Sequence, residues 1–323
     1  MTKFCITGAN GRIGRALVSQ LASNGHEVTG LVRTSSGAQI VEQAGGTPVV
    51  AELTDTESLA TAFSGSQAII HLAGTVRGPG KQTAEEVNHR GTQKVLEAVL
   101  KSDRSELSAM VFSSTVAIYG DRSGLWVEED MPPRPETDYA RSKVAAEQVL
   151  LEACTTNAIP TRVARLAAVY GPGFPFMMVE RMQKGRAWLP GEGMNYVSTI
   201  QVEDVVRGLI QIAEKGQNGR IYNLSDKNPL QLADFYEKVH HVVGGTPVRF
   251  WSTWIPSYVQ ERLARRNESI KARMGRRPTL TVDALRLFTA STRMNTSRIE
   301  KELEFDWSWP DPTQGIPHSL ANN

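Results

Sequence analysis

Short apolar runs rich in Val and Ile recur through the first half of the chain, at Phe4–Thr7, Glu27–Val32, Pro48–Ala51, Ala68–Ala73, Met110–Ser113 and Arg162–Ala168. Runs this brief and this apolar predict strands buried on both faces. Between them, apolar residues spaced three and four apart predict amphipathic helices over Arg12–Ser23, Val87–Leu100 and Tyr139–Cys154. Alternation of strand and helix specifies an α/β fold with a doubly wound parallel sheet, a Rossmann fold, because parallel neighbours need crossover connections. The regularity fades after Gly171-Pro172-Gly173. Beyond it, Gly and Pro punctuate shorter segments, as at Leu189-Pro190-Gly191-Glu192-Gly193 and Gly244-Gly245-Thr246-Pro247. A helix is predicted over Val202–Lys215, with Glu203 and Asp204 favouring its N-terminal dipole, and a returning strand over Ile221–Leu224. No fixed-period repeat is present.

Composition narrows this picture. The 323 residues are 40% hydrophobic and 22% charged, with a mean hydropathy of −0.29, which describes a soluble globular chain and excludes disorder and collagen. The net charge of +2 gives no overall case for nucleic acid. It is unevenly spread: Arg249–Pro278 holds eight Lys or Arg against two Glu. That stretch reads as a solvated basic helix whose aromatic end, Trp251, Trp254, Ile255 and Tyr258, covers a pocket, in preference to a membrane or nucleic-acid surface. Cys5 and Cys154 lie in apolar runs that read as core and are too few for a disulfide framework or a metal cluster; a reducing cytoplasm is expected. Neither a signal-peptide h-region nor an apolar stretch approaching 18 residues is found, so no targeting peptide and no transmembrane helix are expected.

The first strand runs through Thr7-Gly8-Ala9-Asn10-Gly11-Arg12-Ile13-Gly14 directly into a helix. Gly8 permits the tight turn, Gly11 lets backbone approach a pyrophosphate, and Gly14 lets the helix pack close to the sheet. The helix N-terminus adds donors and a positive dipole end. The second strand ends Leu31-Val32-Arg33, where a site preferring NAD would place an acid for the adenine ribose. Arg33 instead suits a 2′-phosphate, with Arg12 as a second cation, so NADP is expected over NAD.

Tyr139 and Lys143 are one helical turn apart and share a face. A free phenol titrates near ~10, and a neighbouring ammonium together with an oxidised nicotinamide brings it into working range as an acid or base. Hydroxyls of Ser113, Ser114 and Thr115 stand at the carboxyl end of the fifth strand, the edge where open α/β sheets bind ligands. Thr115 is placed to align a substrate oxygen with Tyr139, and Ser113 and Ser114 to line the nicotinamide side. Zinc hydrolase and P-loop motifs are missing, and His240-His241 reads as a surface pair; no metal is expected.

Together the glycine turn, Ser113-Ser114-Thr115, Tyr139-x-x-x-Lys143 and Val169-Tyr170-Gly171-Pro172-Gly173 resemble the extended short-chain dehydrogenase/reductase superfamily, that is, the NAD-dependent epimerase/dehydratase family. His71-Leu72-Ala73-Gly74, Val87-Asn88 with Gly91-Thr92, Val202-Glu203-Asp204-Val205 and Tyr222-Asn223-Leu224 extend the likeness over essentially the whole chain. The resemblance implies that Thr115, Tyr139 and Lys143 are catalytic, Lys143 also holding the nicotinamide ribose, with Asn88 in support. It implies cofactor contacts at Gly8, Asn10, Gly11, Arg12, Ile13, Gly14, Arg33, Glu52, Leu53, Leu72, Ala73, Gly74, Ser113, Tyr139, Lys143, Leu166 and Ala168. Glu52-Leu53 stands for the usual Asp-Leu pair, and Leu166 for a common proline.

Sugar-nucleotide epimerases carry an Arg-Asp pair where this chain has Val197-Ser198, whereas Arg277-Pro278-Thr279-Leu280-Thr281 and Asn295-Thr296-Ser297-Arg298-Ile299 resemble the dihydroflavonol-reductase and 3-beta-hydroxysteroid-dehydrogenase-like branch. The expected function is an NADP-dependent oxidoreductase acting on a carbonyl/alcohol pair of a small organic substrate. An NAD-dependent sugar-nucleotide epimerase or dehydratase is the alternative, and a non-catalytic dinucleotide sensor a third reading. The expected division is a dinucleotide-binding domain over 1–170, rejoined by 196–225, and a substrate-binding region over 171–195 and 226–323. Thr75–Gln82, Phe174–Met178, Trp188 and Trp251–Tyr258 are expected to form a partly hydrophobic pocket, and the family resemblance implies a homodimer through the helices Val87–Leu100 and Tyr139–Cys154.

Overall fold

A computed structural model describes residues 1–76, 83–172, 178–250, 257–273 and 281–321. The first half alternates as read: β1 (Lys3–Thr7), α1 (Arg12–Ser23), β2 (Glu27–Val32), α2 (Ser35–Gln43), β3 (Thr47–Val50), α3 (Thr56–Phe63), β4 (Ala68–His71), α4 (Gly91–Lys101) and β5 (Ala109–Thr115). Then follow β6 (Trp126–Val127), α5 (Asp138–Thr156), β7 (Thr161–Leu166), β8 (Ala168–Tyr170), α6 (Val179–Gln183), β9 (Trp188–Leu189), β10 (Tyr196–Val197) and β11 (Thr199–Gln201). After α7 (Val202–Lys215) come β12 (Ile221–Leu224), β13 (Leu230–Gln231), α8 (Leu232–Val243), β14 (Arg249–Phe250), α9 (Ser257–Arg273), α10 (Val282–Thr289), β15 (Arg293–Met294), α11 (Ser297–Leu303) and α12 (Pro312–Ala321).

Seven strands form one parallel sheet in the order β12-β7-β5-β4-β1-β2-β3. The order reverses between β1 and β4, and ligands of such sheets bind at the carboxyl ends beside that switch. Alternate strand residues feed opposite layers. Ile6 and Val111 pack with Leu17 of α1 and Leu209 of α7 on one face, and Cys5 and Met110 with Leu59, Val95 and Leu150 of α3, α4 and α5 on the other. A third cluster centred on Tyr170, Met182, Phe235 and Tyr236 lies in the second half.

Local chemistry sets the helix starts. Thr34, Asp55, Thr137 and Thr281 each accept a backbone N–H from the first turn of α2, α3, α5 and α10, satisfying donors that the helix itself leaves unpaired. Gly14 is buried where α1 leans on the turn: a Cβ there would meet the Gly8 carbonyl and lie 2.8 Å from Ala9 Cα. Gly14→Ala is therefore expected to cost roughly 1–3 kcal/mol by overpacking, as read from urea unfolding.

Several sequence expectations are corrected. The strand beginning at Ala68 stops at His71, because residues 72–75 turn outward as an irregular segment along the site. The run Arg162–Ala168 divides into β7 and β8, the latter leaving the large sheet to pair with β11. The helix expected from Val87 opens as a π-helix over Glu85–Arg90 before α4. Cys5 is buried but Cys154 is only half-buried. Asp204 does more than favour a dipole: fully buried, it accepts the Ser308 and Trp309 N–H groups at 2.9 and 2.8 Å and fastens the C-terminal segment. Trp188 does not line the pocket; it is exposed beneath the Arg249 guanidinium, 5.5 Å away. Arg262, Arg265 and Arg266 project to solvent from α9. Of the other segments expected at the pocket or in the basic stretch, 77–82, 173–177, 251–256 and 274–280 lie outside the described residues, as does the Tyr258 side chain. Among the described residues no helix is long and apolar enough to cross a membrane.

Candidate active site

The turn after β1 opens on a groove of about 250 Å³ lined by Thr7, Gly8, Asn10, Gly11, Arg33 and Leu53, among others. Gly8 has φ of +70°, and a Cβ on it would lie 2.9 Å from the Ala73 nitrogen, so the close approach of this turn to the segment after β4 requires glycine. Gly11, the N-cap of α1, supplies no side chain to cap the helix, and a Cβ there would meet only the Gly8 carbonyl, at 3.1 Å. A positive helix end, uncapped by a side chain and bare of Cβ atoms, fits the pyrophosphate of a dinucleotide. Ala51 and Leu53 line this groove, while Glu52 between them is exposed. Arg12 is exposed in the first turn of α1.

Leu72, Gly74 and Thr75 are walls of this groove and equally of a second cavity of about 500 Å³. There the fold gathers Tyr139, Lys143, Thr115, Ser113 and Ser114, together with Ile13, Leu166 and Ala168. Tyr139 stands in the first turn of α5 because Thr137 caps that helix, and Thr115 lines the same cavity, near enough for its hydroxyl to act on the phenol. Burial pushes the phenol above its usual range, and the Thr115 hydroxyl opposes this, so the ground-state group holds its proton at neutral pH. Lys143 is buried, donates from Nζ to the Ser113 carbonyl at 2.6 Å, and lies 4.3 Å from the centre of the Phe112 ring.

Burial pushes Lys143 down to about 8, against the attraction of Glu147. In the unfolded chain the amine titrates near its ordinary 10.5. Between these values the unfolded state binds more protons, so raising the pH stabilises the fold. Lys143→Met lacks this dependence. Its stability advantage over the natural chain is expected to shrink by roughly 1–3 kcal/mol between pH 8 and 10.5, measured by urea unfolding across that range.

Behind these residues runs an ordered chain of hydrogen bonds. Thr92 Oγ1 donates to the Asn88 carbonyl at 2.5 Å and so accepts from His71 Nε2 at 3.0 Å. His71 Nδ1 is left as acceptor for Thr7 Oγ1 at 2.6 Å, and Thr7 accepts the Ala73 N–H. Burial, aided by the Lys143 charge, lowers His71 to about 3, so the neutral Nε2–H tautomer persists at working pH. The widened π turn turns Asn88 inward: its Oδ1 accepts the Thr75 N–H at 2.7 Å, and its Nδ2 donates to the Thr75 carbonyl and to Ser142 Oγ at 2.8 and 2.9 Å. Ser142 then donates to the Tyr139 carbonyl at 2.7 Å. Ser142 was not among the expected site residues; its spacing from Tyr139 was the available signal. Tyr196, Arg286 and Thr292, which also line the larger cavity, carried none. No group of three or more metal-ligating side chains occurs among the described residues.

A model described as the NAD dependent epimerase/dehydratase family matches residues 4–225. A 4-hydroxy-2-methyl-3-oxo-4-farnesyl-3,4-dihydroquinoline-1-oxide ketoreductase of Stigmatella aurantiaca is 31% identical over 238 residues, 71% of this chain and 70% of that protein. A sterol-4-alpha-carboxylate 3-dehydrogenase, decarboxylating, of Dictyostelium discoideum is 26% identical over 279 residues, 80% of this chain and 85% of the other. In fold, the chain is similar to a dTDP-glucose 4,6-dehydratase from Bacillus anthracis solved with NAD, with a TM-score of 0.79 at 19% identity over 99% of this chain and 96% of that one.

Proposed function

Because the chain belongs to the NAD dependent epimerase/dehydratase family, we propose that it is an NADP-dependent reductase or dehydrogenase interconverting a carbonyl and an alcohol on a small organic substrate. The observation that carries this reading is that Tyr139, Thr115 and buried Lys143 line one cavity, which shares three wall residues with the groove bearing Arg33. The names of two relatives, a ketoreductase and a dehydrogenase, support it.

Gly8, Asn10, Gly11 and the start of α1, with Arg12, would hold the pyrophosphate, and Leu53, Ala73 and Arg33 the adenosine end. Ile13, Leu72, Gly74, Leu166 and Ala168 would flank the nicotinamide, with the Ser113 backbone and Lys143 at its ribose; exposed Glu52 would act at the rim. A bound nicotinamide dinucleotide supplies the hydride donor or acceptor. Thr115 Oγ1 holds the substrate oxygen against Tyr139, whose phenol donates its proton to that oxygen during reduction and takes it back during oxidation. Lys143 keeps positive charge beside the phenolate so formed, and the Asn88–Ser142 bonds hold the first turn of α5 in place.

Arg33→Ser is expected to weaken NADP⁺ binding about tenfold or more, the worth of a charge-assisted contact, and to leave NAD⁺ binding within about twofold. Calorimetric titration with both nucleotides checks this, after the purified protein has been assayed for dinucleotide it already carries. Retained NAD, or a natural preference for NAD⁺ together with turnover of a UDP- or dTDP-sugar, would overturn the reading in favour of an epimerase or dehydratase.

A further inference from the structure

Much of the described lining of the larger cavity is apolar, with Val76, Val116, Val169, Val197, Leu287 and Ala290 forming a substrate wall. Two polar side chains of the cavity, Ser198 and Thr292, are already engaged, while the Tyr196 ring packs against Arg293 at 4.6 Å. Ser198 Oγ donates to the Thr292 carbonyl at 3.1 Å and accepts the Met294 N–H at 2.9 Å, and Thr292 Oγ1 donates to the Gly120 carbonyl at 2.8 Å. Besides Lys143, the charged groups among the described lining residues are Glu136 and Arg286. Glu136 pairs with Arg134 at 3.8 Å. Arg286 donates from Nη1 to the Glu136 carbonyl at 2.8 Å and from Nε and Nη2 to the Glu261 carboxylate at 3.2 and 3.1 Å.

Glu261 stands on α9, outside the described lining residues; one oxygen of its carboxylate meets Arg286, and the other lies 3.5 Å from Arg265 Nη2 at the more exposed side. Two of the five guanidinium N–H donors remain beyond these three bonds. They would be available to a carboxylate placed against the wall if Glu261 did not cancel the positive charge. A free guanidinium here would select anions; a cancelled one leaves a neutral wall. We propose that Glu261 is a specificity residue: by holding and neutralising Arg286, it restricts the site to uncharged, largely apolar ketones and their secondary alcohols, and disfavours analogues bearing a carboxylate. The inference rests on the carbonyl/alcohol reading above and adds the substrate class and the residue that enforces it.

The test compares two probes that differ by one charge, 4-phenylcyclohexanone and 4-(4-oxocyclohexyl)benzoic acid, titrated calorimetrically into the full chain saturated with NADP⁺. The natural chain is expected to bind the neutral ketone more tightly. Glu261→Gln keeps a hydrogen-bond acceptor for Arg286 while removing the opposing charge, and should raise the ratio of carboxylate to neutral affinity about tenfold. Arg286→Gln removes the positive charge from the wall, leaves Glu261 paired with the more exposed Arg265 alone, and should lower that ratio by a similar factor. Opposite movement of the two variants separates charge control from a merely structural clamp, whose loss would move both in one direction. Ratios that stay put, that move together, or a cavity binding neither ketone at millimolar concentration overturn the proposal. Neutral ketone that binds as expected yet is not reduced with NADPH overturns the reductase reading and leaves the specificity role standing; equal reduction of both probes does the reverse.

Discussion

Tyr139→Phe is expected to lower turnover of any ketone the enzyme reduces by roughly 10²- to 10⁴-fold, the span that general acid catalysis supplies, while NADP⁺ binding is retained. The substitution removes one oxygen from a side chain that α5 and its Thr137 cap hold in place, so the ring stays and only the proton donor goes. Thr115 keeps its bond to the Ala117 N–H and can still hold the substrate oxygen, so the loss should fall on kcat more than on KM. Steady-state kinetics beside a nucleotide titration of the same preparation checks both halves. Full turnover in a folded, cofactor-binding Phe variant would remove Tyr139 from the chemistry.

The second large effect is on stability. Arg165→Met is expected to cost about 3–5 kcal/mol, measured by urea unfolding near neutral pH. Arg165 on β7 and Glu147 on α5 form a buried pair at 2.8 Å, with side chains 3% and 4% exposed. The guanidinium also donates to the Tyr119 hydroxyl and the Glu129 carbonyl at 2.9 and 2.8 Å. Removing it strands a carboxylate where water cannot reach. The double variant Arg165→Met/Glu147→Leu should recover much of the loss, because it removes both charges together. If the double variant is as unstable as the single one, the penalty arises from the lost bonds to Tyr119 and Glu129 and not from the stranded charge.

The parts of the molecule that were legible in the sequence are those whose signals are local. The glycine turn, α1, β2, α7 and β12 follow from periodicity and punctuation within a dozen residues, and the helical spacing that links Tyr139 to Lys143 is of the same kind. Arg165 was read only as a member of an apolar run, because the partner that permits its burial is 18 residues away on another element. The Val87 helix opens differently from the expected pattern because Asn88 answers to Thr75 and Ser142 and not to its neighbours in the turn. The far wall of the larger cavity depends on contacts such as Thr292 with Gly120, 172 residues apart, for which no local pattern exists. The candidate site was thus readable in its reacting groups and opaque in the surfaces that choose what reacts.

The pairing of β15 with β6, together with that Thr292 bond, has a consequence for the order in which the protein is made. The described residues lining the smaller groove run from Thr7 to Val87, whereas those of the larger cavity extend to Thr292. At translation rates of about 5–20 residues per second, some 10–40 s separate the emergence of the two from the ribosome. A nascent chain therefore carries the described residues of the smaller groove well before the larger cavity is closed, and that cavity waits for residues made much later.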